Sequence, residues 1–127
     1  MSLMIAVIAV PVFMIIYGMR EPQIELAEKG FAIKGMYGIT LSYTEIQYLD
    51  TVTDLPKIRI RTNGFAFSGV CKGNFTLDSI GSAKLFVNCN TNLYIRIKTH
   101  DLKSIYLNFD DRQKTIEVFN NLTENNR

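Results

Sequence analysis

The chain has 127 residues, a net charge of +2 and 47% hydrophobic residues, with 2 Cys, 1 His and no Trp. That length builds one domain, and so apolar and aromatic a composition excludes a disordered tract. Two cysteines and one histidine exclude a dense disulfide framework and an ordinary structural zinc cage, and 14 basic against 12 acidic residues provide no field for nucleic acid.

Every charged side chain lies at or beyond Arg20. Before it, Leu3 to Met19 is an apolar run of 17 residues, about 25 Å long as a helix, against a hydrocarbon core of about 30 Å. Residues 1–19 therefore read as a transmembrane helix or part of one, kinked at Pro11. Tyr17 and Arg20 fall where an interfacial aromatic and a snorkelling cation are expected. Met1-Ser2-Leu3 also fits an expression remnant, with the natural start upstream. A signal peptide is a weaker reading, because no basic residue precedes the run and Gly18-Met19-Arg20 is unlike an Ala-x-Ala cleavage site. A buried core element is the third. The positive-inside bias puts residues 20–127 on the cytoplasmic side of the cell membrane. Cys71 and Cys89, 18 positions apart, suit that compartment as separate reduced thiols packed as small hydrophobes.

Period-two alternation of apolar and polar residues then predicts strands at short intervals. Residues 23–28 form the first, Lys29-Gly30 a turn and 31–34 the second, with Gly35-Met36-Tyr37-Gly38 closing a hairpin into 39–43. Residues 46–49 continue toward an irregular Asp50–Asp54 stretch, where Pro56 bars a central strand. Lys57-Ile58-Arg59-Ile60-Arg61 alternates strictly, and Asn63-Gly64 is expected to turn the chain into 65–70. Residues 84–88 and 93–98 flank an Asn90-Thr91-Asn92 turn, and 104–109 is the last strand. Such short connections predict an antiparallel meander. From Asp110 the period changes: Ile116, Phe119 and Leu122 share one helical face, which predicts a helix over 110–124 with Asp110 and Gln113 as a capping box. A helix that short must lay its stripe on the sheet.

About seven antiparallel strands ending in one amphipathic helix resemble the pleckstrin-homology (PH) architecture. Phe31–Gly38, Arg59-Ile60-Arg61-Thr62-Asn63-Gly64-Phe65, Gly73-Asn74-Phe75 and Lys84-Leu85-Phe86-Val87 resemble bacterial PH-like domains. The resemblance covers residues 20–125 and implies a mainly β fold: a small antiparallel sandwich or barrel with a C-terminal helix, here preceded by the apolar helix. It implies a membrane setting and no common catalytic residues. Ring- or shell-like assemblies among small bacterial members also imply a homo-oligomer.

Constellations for chemistry are sparse. His100 stands in Thr99-His100-Asp101, a hairpin turn, with no oriented nucleophile. Asp110 and Asp111 are accounted for by the helix start rather than by a metal, and no glycine-rich nucleotide motif is present. No enzyme activity, cofactor or metal is expected. The informative feature is basic. Lys57, Arg59 and Arg61 fall on one strand face opposite Ile58 and Ile60, and Arg96 and Lys98 share another with Tyr94. Those five cations are the candidate site for anionic lipid, an acidic peptide or a protein partner, although a solvated face with cross-strand acids is the stronger reading of them. The expected function is a membrane-anchored, non-catalytic PH-like interaction module that binds a protein partner, itself or anionic lipid. The alternative is a secreted or periplasmic small-ligand β-barrel, which requires a cleaved leader and a hollow interior.

Overall fold

The computed structural model describes Val12, Ile15, Ile16, residues 19–35 and residues 37–125. Among these, the strands are β1 (Gln23–Leu26), β2 (Gly30–Lys34), β3 (Ile39–Ser42), β4 (Ile46–Val52), β5 (Ile58–Phe67), β6 (Val70–Leu77), β7 (Gly81–Asn88), β8 (Tyr94–Thr99) and β9 (Ser104–Leu107). A 3-10 turn, Tyr43–Glu45, precedes β4, and helix α1 (Arg112–Asn125) ends the chain. The mainly β body with a closing helix is as expected. Among the described residues no helix is long and apolar enough to cross a membrane. Most of the 1–19 segment expected to do so lies outside the described residues; Val12, Ile15, Ile16 and Met19 are helical.

The strands form two sheets, β1-β2-β3 and β4-β8-β9-β7-β6-β5. One face of the larger sheet supplies Phe86, Ile95, Ile97, Ile105 and Leu107, which pack with Phe31, Ile33 and Leu41 of the smaller sheet and Leu122 of α1. The opposite face holds a second cluster around Phe75, Leu77, Leu85 and Tyr106. Its edges, β4 and β5, are joined by residues 53–57 alone. Six flat strands would set those edges about 24 Å apart, beyond the roughly 20 Å that six extended residue steps reach. The sheet is therefore curled about the second cluster, on which Val52 of β4, Leu55 of the 53–57 strap and Ile58 of β5 all pack.

Five sequence expectations are corrected. The expected meander of antiparallel neighbours fails because β9 lies parallel to β7 and between it and β8. Residues 89–103, containing β8 itself, supply the crossover that a parallel pair requires. Asn63-Gly64 is not a turn but lies within β5; Gly64 opposes Gly73, where a Cβ would meet the Lys72 carbonyl oxygen at 2.5 Å. The chain turns instead at Ser68-Gly69, both at positive φ, as a two-residue hairpin loop demands. Register shifts between Ile58 and Ile60 and between Arg61 and Asn63 break the expected alternation. Ile58 and Arg61 oppose Leu77 and Phe75 and so share one face, while Ile60 opposes Thr76 on the other. Asp50–Val52, expected to be irregular, completes β4, since Asp50 pairs with Arg96 across the ladder. Finally, Asp111 rather than Asp110 caps α1, its carboxylate accepting the Gln113 N–H at 2.9 Å.

Candidate functional site

The five candidate cations do not form one patch. Arg59 and Arg61 belong to edge strand β5 and Lys57 immediately precedes it, whereas Arg96 and Lys98 are on β8, with β9, β7 and β6 between. Arg96 makes a two-pronged ion pair with Asp50, at 2.9 and 2.6 Å, and its guanidinium lies over the Tyr48 ring at 5.5 Å. That carboxylate leaves little of its charge for an outside anion. Lys98 donates to the Ser104 hydroxyl at 3.2 Å. Arg59 pairs with Asp78 at 3.3 Å. Among the described residues, Lys57 and Arg61 enter no ion pair, and both are exposed. Cross-strand acids therefore account for Arg59 and Arg96 and not for Lys57, Arg61 or Lys98.

The β5 edge has a second character. Ile60, Phe65 and Phe67 oppose Thr76, Lys72 and Val70, alternate residues of β6, and therefore share a face. Ile60 is 59% and Phe67 50% exposed, unusual for large apolar side chains on an edge. The stretch Asn63–Phe67 keeps regular register with β6 and leaves its outer side without a partner strand among the described residues. The sequence-based reading placed the cations here but missed these apolar residues, because it grouped Ile60 with Ile58 on the face opposite the cations and read Asn63-Gly64 as a turn.

Two further groups were not singled out from the sequence. Lys72 is buried, 2% exposed, and its ammonium donates to the Arg20 carbonyl. Desolvation lowers its pKa, with Asp110 and then Glu21 opposing and Arg20 assisting. Glu21 accepts the Asp110 N–H at 2.8 Å and pairs with Lys114 at 3.4 Å, so the chain leaving residue 19 is held against β6 and α1. Asn108 is the other: 1% exposed, it accepts the Asn88 N–H at 2.7 Å and donates to the Asn88, Thr91 and Leu93 carbonyls.

His100 lies in the β8–β9 turn with an exposed side chain, and its N–H donates to the Glu45 carbonyl at 2.9 Å. Among the described residues no group of three or more His, Cys, Asp or Glu is placed to hold a metal ion. A cleft of about 360 Å³ between β3 and the β6-β7-β9 face is lined by Glu45 and Asp101 as well as Lys84 and Lys103; its mixed charge selects no anion. The curled face is filled by Phe75, Leu77, Leu85 and Tyr106, each no more than 1% exposed, and is not the hollow interior of a ligand barrel.

Against known proteins, the family described as Bacterial PH domain matches residues 22–119, the body from just before β1 to the middle of α1. Neither the curated proteins nor the solved structures yield a match.

Proposed function

As the chain belongs to the bacterial PH domain family, we propose that it is a non-catalytic, membrane-anchored module that takes up an extended protein segment along the outer edge of β5. The observation that carries this reading is the edge itself: regular backbone at Asn63–Phe67 with Ile60 and Phe67 exposed on one face. Strand addition supplies affinity through main-chain hydrogen bonds and selectivity through alternate side chains. Such a segment offers apolar residues to Ile60 and Phe67 and acidic residues to Lys57 and Arg61. Edge β4 is the weaker candidate, since its Tyr48 and Asp50 are engaged by Arg96. Membrane attachment rests on the Leu3–Met19 apolar run, with the domain on the cytoplasmic side, and the Arg20–Lys72 and Glu21–Lys114 contacts would hold the β5 edge at a set height from the bilayer.

A photocrosslinking amino acid in place of Ala66, used in intact membranes, tests the reading. The expected product is a crosslink to one extended segment of a recurring protein, lost when Phe67→Lys places a charge on the edge. A product unchanged by Phe67→Lys, or lipid alone, overturns it. If residues 20–127 float with anionic vesicles and Arg59→Glu with Arg61→Glu abolishes this, the anionic-lipid reading replaces it.

A further inference from the structure

The sheet register brings together the two cysteines that 18 positions separate. Cys71 of β6 opposes Val87 of β7. Cys89 lies two residues beyond, its N–H donating to the Gly69 carbonyl across the same ladder at 2.8 Å. Diagonal positions on adjoining antiparallel strands share a face, so the register sets Cys71 and Cys89 side by side on the same face of the β6–β7 ladder. Cys71 is buried, Cys89 is exposed, and both are free thiols.

The pair is chemically unequal. The neighbouring Cys71 thiol, and more weakly the Tyr94 hydroxyl, bring the Cys89 pKa from 9.0 down to about 6, although burial opposes them. The same contact, together with burial and the nearby Cys89 charge, pushes Cys71 upward, with Arg61 of β5 acting against the rise. Tyr94 of β8 is pushed up to about 12, first by desolvation and then by Cys89, with lesser contributions from Cys71 and from Asp54 in the 53–57 segment; it stays protonated. An accessible thiolate beside a protonated thiol is the arrangement of a reactive cysteine with its resolving partner.

We propose that Cys89 is a modification site for low-molecular-weight disulfides, with Cys71 as the thiol that resolves the adduct. The Cys89 thiolate attacks one sulfur of R–S–S–R; a Cys89–S–S–R bond forms, the reagent's S–S bond breaks and RS⁻ departs. The adduct is neutral, so the thiolate that kept the proton on Cys71 is gone while Arg61 remains. Cys71 releases its proton, which the departing RS⁻ takes up, and its thiolate attacks the Cys89 sulfur, expelling a second RS⁻. Two electrons pass from the protein thiols to the small disulfide, and Cys71–Cys89 is left bridged. The sulfurs must close to about 2 Å, so the Cys89 N–H bond to the Gly69 carbonyl, the last of this ladder and just beyond β7, opens as the bridge forms. This site does not depend on partner capture at β5.

The test treats the purified full chain with oxidised and reduced glutathione as the probe, maps the products by peptide mass spectrometry, and follows iodoacetamide labelling of Cys89 against pH. The wild type is expected to yield the intramolecular Cys71–Cys89 bridge, Cys89→Ser to remain unmodified at Cys71, and Cys71→Ser to accumulate glutathione on Cys89. Labelling of wild-type Cys89 should be half-maximal near pH 6, moving toward the ordinary thiol value of about 8.5 in Cys71→Ser. Cys71→Val, which keeps the site apolar, serves if Cys71→Ser does not fold, and the wild-type pH profile needs no variant. A wild-type midpoint near 8.5, a glutathione adduct that persists with Cys71 free, or bridges only between separate chains overturns the proposal.

Discussion

Replacing Asn108 with leucine keeps side-chain size and shape nearly constant but removes four hydrogen bonds at a site only 1% exposed. The Asn88 N–H loses its only side-chain acceptor, and the buried Leu93 carbonyl loses a donor at 3.1 Å. Each such orphaned buried group costs about 1–3 kcal/mol. Asn88 and Thr91 are only half-buried, so water replaces part of what their carbonyls lose, and the sum comes to about 2–4 kcal/mol. With a urea slope of about 1.5–2 kcal/mol/M, the midpoint of denaturation should fall by about 1–2.7 M. The comparison is Asn121→Leu on the exposed side of α1, which should move it little. A loss below about 1 kcal/mol for Asn108→Leu would refute the claim that this amide holds the β7–β8 turn to the end of β9.

Lys72→Met removes a buried ammonium whose pKa is lowered from 10.5 by desolvation. The wild type bears the cost of a charged Lys72 at neutral pH and sheds it as pH rises through the lowered value, so wild-type stability relative to the variant should climb toward pH 10.5; parallel urea curves across that range contradict this. Asp50→Asn breaks a pair whose side chains are 32% and 41% exposed, so solvent screening limits the loss to about 1 kcal/mol, measurable in thermal melts and smaller in high salt. Asp111→Ala leaves the Gln113 N–H without its cap and should cost about 1 kcal/mol in the same assay, whereas Asp110→Ala, if Asp111 is the cap, leaves α1 intact by helical circular dichroism.

What the amino-acid pattern disclosed follows from which forces act locally. Strands β2 and β8 were legible because Phe31–Lys34 and Leu93–Lys98 alternate cleanly, and α1 because Ile116, Phe119 and Leu122 recur at helical spacing, of which Phe119 and Leu122 meet the first core. Strand β5 was misread because two bulges shift its period, and no local signal distinguishes a turn-forming Asn-Gly from a glycine facing another glycine across a ladder. The insertion of β9 beside β7 depends on burial along all of Ser104–Leu107 and on the bonds of Asn108, which are long-range facts. For the candidate site, residue types were legible and their partners were not. Asp50 neutralises Arg96 only through the β4–β8 register, and the contact between Cys71 and Cys89 exists only through the β6–β7 register.

Amide hydrogen exchange of the chain in its native membranes, compared with the purified chain, tests the role of the β5 edge most directly. The account predicts slowed exchange confined to Asn63–Phe67 and abolished by Phe67→Lys. Equal exchange of this stretch in the two preparations, or protection along Ile46–Val52 instead, would contradict it.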